Sequence, residues 1–101
     1  QEVFGPVFVL ITFKTKDEAI EIANDSKYGL GATIWLNDLV EAEIISNQIE
    51  SGMVAINDMM KSDPKIPFGG IKFSGYGKEL SEMGIKEFVN AKTITINKIN
   101  E

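Results

Sequence analysis

Apolar runs and amphipathic stretches alternate along the first half of the chain. Residues 7–13 (VFVLITF) are almost all apolar and β-branched or aromatic, which predicts a strand buried on both faces, as in a parallel sheet. Thr15 follows with Glu18 three residues later, a capping box that opens a helix carrying Ala19, Ile20, Ile22 and Ala23 on its apolar stripe. Turn residues end that helix between Asn24 and Gly31. Residues 32–36 (ATIWL) predict a second buried strand. Asp38 with Glu41 opens another helix in the same way, with Leu39, Ala42, Ile45 and Ile49 on one face and Gly52 in place as its C′ residue. Residues 53–57 (MVAIN) predict a third strand. This β-α-β-α-β order implies an α/β fold with a parallel sheet and right-handed crossovers. Further on, residues 81–90 predict a short helix with Ile85, Phe88 and Val89 inward, although Gly84 lies within it. Residues 93–97 (TITIN) alternate like a strand with one open face.

The stretch from Pro67 to Glu79 (PFGGIKFSGYGKE) breaks the pattern. Four glycines stand among Phe68, Phe73 and Tyr76. Each glycine inside a regular element costs roughly 0.5–1 kcal/mol relative to alanine. The run therefore predicts a shaped loop, irregular from about Asp58 to Lys78, and its aromatics argue against disorder. Gly69, Gly70, Gly75 and Gly77 are read as shaping the backbone, and Asn57, at a strand end, as bracing a loop. Lys72 is read as solvated, and Trp35 and Met53 as core.

Phosphate motifs do not fit this loop. Gly70 and Gly75 have the first spacing of a P-loop, but Tyr76 stands where lysine belongs. Gly75 and Gly77 begin a dinucleotide fingerprint, but Leu80 replaces its third glycine.

Composition narrows the chemistry. The 101 residues are 44% hydrophobic and 25% charged, which fits one domain, and no internal repeat or linker divides them. The net charge of -5, with all ten basic residues lysine, gives no electrostatic reason to expect nucleic acid. No apolar run is long enough to cross a membrane. The chain has no cysteine and no histidine. It therefore carries no thiolate nucleophile, and Ser74 has no histidine to activate it. If the chain belongs to an enzyme, the reactive groups lie elsewhere.

Three anchors in register carry a family resemblance. The first is Glu2-x-Phe4-Gly5-Pro6. The second is Gly52-x-Val54-x-Ile56-Asn57 followed by PFGGIKFSGYGKEL. The third is Gly84-Ile85-x-x-Phe88 running into Lys92-Thr93. From Gln1 to Asn97 the chain resembles the C-terminal end of an NAD(P)-dependent aldehyde dehydrogenase, nearest the succinate-semialdehyde dehydrogenase-like branch. Lys78 stands where arginine is usual, which keeps the charge and loses the planar fork.

The resemblance implies a three-layer, parallel-sheet part of the catalytic domain over residues 1–91, and an oligomerisation strand and tail over residues 92–101. It implies oxidation of an aldehyde, with succinic semialdehyde the nearest, to the acid through a cysteine thioester, with hydride passing to NAD or NADP. The cysteine and the activating glutamate lie upstream of Gln1 in the family, so no catalytic residue is expected in this chain. Glu2 matches the glutamate that accepts hydrogen bonds from the nicotinamide-ribose hydroxyls, and Phe4 the aromatic beside the nicotinamide. Phe68 matches a phenylalanine lining the aldehyde channel. The implied partners are a small-molecule aldehyde and further copies of the chain through the C-terminal strand, without nucleic acid or membrane, in a cytoplasmic homo-oligomer. A start at Gln1 without Met suits a piece of such an enzyme. The alternative is a free-standing, non-catalytic assembly module of the same fold.

Overall fold

The frame of the molecule is set where Thr15 and Asp38 turn the chain into its two longer helices. The structure is a computed structural model and describes residues 3–99. Helix α1 spans Lys16–Asn24, and the Thr15 hydroxyl accepts from the Glu18 N–H at 3.2 Å. The Glu18 carboxylate reaches back to the Lys14 N–H at 2.7 Å, so the capping box closes one residue before the cap. Helix α2 spans Leu39–Ser46, and Asp38 Oδ1 accepts from the Glu41 N–H at 3.0 Å. Glu41 does not complete a box. Its carboxylate pairs with Lys16 Nζ and ties the starts of the two helices together.

Strand β1 spans Tyr28–Gly29, β2 Ala32–Ile34, β3 Val54–Ile56 and β4 Ile71–Lys72. β2 and β3 pair in parallel, Ala32 against Val54 and Ile34 against Ile56, with α2 as the crossover between them. That is the pairing the alternating pattern predicts. β1 and β4 pair antiparallel, Tyr28 against Lys72 and Gly29 against Ile71. β4 lies inside the glycine-rich stretch, so the predicted irregular loop contains a short strand. Helix α3 spans Ser81–Lys86 and stops short of the predicted Asn90.

Several expectations fail for one reason. Residues 7–13 join no ladder, with Phe8 88% and Leu10 85% exposed. Residues 93–97 join none either, and Ile94, Ile96, Ile85, Phe88, Val89 and Trp35 are all exposed. A doubly buried strand needs neighbours on its edges and a layer over each face. The described residues supply neither, and Ala42 is the one fully buried hydrophobic among them. Gly52 is also not the C′ residue of α2, whose C-cap is Asn47. It is a point of close approach instead: a Cβ there would lie 2.9 Å from the Gly70 Cα and collide with the Gly69 carbonyl oxygen.

No helix among the described residues is long and apolar enough to cross a membrane.

Candidate functional site: the clamped glycine loop

Beyond Pro67 the backbone must satisfy its carbonyls without a regular element, since an unpaired buried backbone group is costly. Two adjacent residues supply the donors. Phe68 and Glu79 exchange a pair of backbone hydrogen bonds, each 2.8 Å. Lys78 then turns its ammonium back on the loop and donates to the Gly69 carbonyl at 2.8 Å and the Gly70 carbonyl at 3.1 Å. The three consecutive carbonyls of residues 68–70 are thus held by residues 78 and 79. Gly69 makes room for the clamp: a Cβ there would meet the Gly77 carbonyl at 2.7 Å and the Lys78 stem at 3.1 Å. Gly77 itself, at φ 69°, adopts the left-handed backbone that glycine tolerates.

The middle of the loop is anchored by a second lysine, in β4. Lys72 Nζ donates to the Asn24 and Ser26 carbonyls at 3.0 and 3.1 Å and pairs with the Glu50 carboxylate at 2.6 Å. The Asn24 amide also links to Gln48 and Glu50, so the ends of α1 and α2 meet β4 at this point. The reading of Lys72 as solvated is therefore corrected. Its side chain is only 25% exposed, because two helix-end carbonyls need its protons. The Ser74 hydroxyl accepts from the Gly29 N–H at 2.9 Å, a structural use. Asn57, at φ 52°, brackets Leu36 with its amide through two 2.8 Å bonds, as its position at a strand end implies.

Phe68, half-buried, lines a recess of about 360 Å³ with the glycine loop, Leu30, Tyr76 and Phe88. Phe4 does not line it and stands 96% exposed near the chain start. Glu2 lies outside the described residues. The loop offers no phosphate cradle: the Glu87 carboxylate lies against Gly77, 3.2 Å from where a Cβ would be, and its charge repels an anion. Sequence reasoning missed the two lysine clamps. Their acceptors are backbone carbonyls, those of Lys78 within the glycine run and those of Lys72 at the end of α1, and neither set carries a sequence signal.

This α/β scaffold with its clamped glycine loop is similar to known proteins along almost the whole chain. The family model described as "Aldehyde dehydrogenase family" matches residues 1–94. A probable succinate-semialdehyde dehydrogenase [NADP(+)] of Synechocystis is 54% identical over 96 residues, covering 95% of this chain and 21% of the relative. The crystal structure of a succinic semialdehyde dehydrogenase from Streptococcus pyogenes in complex with NADP+ matches with a TM-score of 0.91 at 50% identity. It covers 97% of this chain and 22% of that one. A salicylaldehyde dehydrogenase from Pseudomonas putida matches with a TM-score of 0.93 at 38% identity, over 100% of this chain and 21% of that one. The chain belongs to the aldehyde dehydrogenase family. It spans about a fifth of the length of the relatives it matches.

Proposed function

We propose that this chain is the C-terminal part of an NAD(P)-dependent aldehyde dehydrogenase acting on succinic semialdehyde. The observation that carries the reading is the match of 95% of the chain, at 54% identity, to a relative described by that activity. Residues 1–91 close the catalytic domain within a three-layer parallel sheet, and residues 92–101 provide the oligomerisation strand. The nucleophilic cysteine and the general base come from the rest of the polypeptide, in keeping with a chain that has no cysteine. Phe68 lines the aldehyde channel, a role its place in the wall of a recess supports. Phe4, with its ring free, fits packing against a flat nicotinamide, and Glu2 accepts from the ribose hydroxyls. The bound cofactor supplies the hydride acceptor; this chain supplies only groups that hold its nicotinamide-ribose end.

The full-length protein is expected to oxidise succinic semialdehyde with NADP or NAD. The 101-residue chain alone is expected to show no turnover, because no thiolate is present to attack the carbonyl. Steady-state assays of both, after repurification of the short chain, test this. Absence of aldehyde oxidation by the full-length protein, or turnover by the short chain, overturns the reading.

Glu2→Gln in the full-length enzyme keeps size and removes the charge, and hydrogen bonds to charged groups contribute about 1.5–3 kcal/mol each. The expected result is a cofactor KM raised about tenfold or more with the aldehyde KM nearly unchanged, read from initial rates with each substrate varied in turn while the other is saturating. Unchanged cofactor affinity and hydride-transfer rate exclude this role for Glu2.

A further inference from the structure

We infer that Lys78 is a positioning residue for Phe68: its ammonium fixes the 68–70 backbone and so sets where the Phe68 ring stands in the recess. The inference rests on the proposed aldehyde-lining role of Phe68. Three observations carry it. Lys78 Nζ binds the two carbonyls that directly follow Phe68, at 2.8 and 3.1 Å. The neighbouring Glu79 holds the Phe68 N–H and carbonyl, both at 2.8 Å. Gly69 lacks the Cβ that would strike the Gly77 carbonyl and crowd the lysine stem.

These contacts leave Phe68 little backbone freedom while the clamp is closed. Without the ammonium, two neighbouring carbonyls lose charge-assisted donors at a part-buried site. Among the described residues, the Phe68–Glu79 bridge is then the hydrogen-bonded tie that remains between the two sides at residues 68–70. The acceptors are two single carbonyl oxygens rather than one planar carboxylate. A compact ammonium with three donors therefore serves them without a guanidinium fork, and arginine, with its five donors, can serve them too.

The test uses the full-length enzyme and three variants, Lys78→Met, Lys78→Arg and Phe68→Ala. Lys78→Met is expected to lower kcat/KM for succinic semialdehyde on the order of 10- to 100-fold, mainly through a raised aldehyde KM, because small misplacements of positioning groups have effects of this size. The cofactor KM stays within about twofold. Lys78→Arg restores most of the aldehyde KM. Hydrogen exchange of the Phe68 and Glu79 amides accelerates in Lys78→Met and not in Lys78→Arg. A merely structural lysine would lower the amount of active enzyme, and hence kcat, without moving the aldehyde KM.

Phe68→Ala separates the two claims. If it raises the aldehyde KM and Lys78→Met does not, the positioning role is overturned and the reading of Phe68 stands. If Phe68→Ala leaves the aldehyde KM unchanged, the reading of Phe68 fails, and the positioning role with it. Unchanged amide exchange in Lys78→Met overturns the clamp itself.

Discussion

Gly52→Ala is expected to destabilise the protein by about 3 kcal/mol, the upper end of the cost of overpacking a tight site. The added methyl has nowhere to go. It would collide with the Gly69 carbonyl oxygen and lie 2.8 Å from the Gly69 carbonyl carbon and 2.9 Å from the Gly70 Cα. All three atoms are backbone, so no rotamer change relieves the clash. The Gly69 carbonyl is also the acceptor that Lys78 holds at 2.8 Å, and the Gly52 N–H is bonded to the Gly29 carbonyl at 2.9 Å. The substitution must therefore break a clamp on one side or a hydrogen bond on the other. Gly5→Ala is the control: nothing lies within 4 Å of its missing Cβ, and the change should stay within about 0.5 kcal/mol. Urea unfolding of the full-length protein, with fluorescence and hydrogen exchange of the loop as probes, measures both. Equal stability of the two variants would show that the contact between residue 52 and the glycine loop is not tight in solution.

What the sequence made legible follows from how local each signal is. Thr15 and Asp38 were readable as helix caps because a cap is a contact three residues long. The parallel pairing of β2 and β3 was readable because apolar runs flank an amphipathic helix of crossover length. The β1–β4 pair was not: Ile71–Lys72 has no strand pattern of its own and is a strand only because Tyr28–Gly29 lies beside it. The two lysine clamps were illegible for a related reason. Their acceptors are backbone carbonyls, which carry no sequence signature, and those of Lys72 lie 46 and 48 residues away. Burial was overread at Trp35, at Phe8 and at Ile85. Periodicity shows which face is apolar and says nothing of what covers it. At the candidate site, the family resemblance singles out Phe68, whereas the device that holds its backbone emerged only from the folded geometry.

The uncovered faces lead to the last expected result: the 101-residue chain, produced alone, forms dimers or larger species. A monomeric globular protein of 11.1 kDa exposes roughly 5,700 Å². This chain exposes 9129 Å². Its radius of gyration is 19.7 Å, against about 13 Å for a compact domain of this length. The excess of about 3,400 Å² exceeds a standard protein–protein interface and reaches the range of obligate ones. Much of the exposed side-chain surface is apolar, from Val7, Phe8, Val9 and Leu10 at one end to Ile94 and Ile96 at the other. Exposed apolar surface on this scale drives association. The segments that predict strands but join no ladder also present unpaired N–H and C=O groups, which template pairing with another chain. Residues 93–97 are one such segment, with their alternating TITIN pattern. Light scattering over a concentration series should show mass rising well above 11.1 kDa, with binding of a hydrophobic dye. Ile94→Pro should weaken the association, because proline removes a ladder donor and is tolerated only at strand edges. If the proline variant associates as strongly as the parent chain, the contact lies at the uncovered apolar faces and not at residues 93–97. A well-folded monomer at every concentration would overturn the expectation and favour a free-standing module.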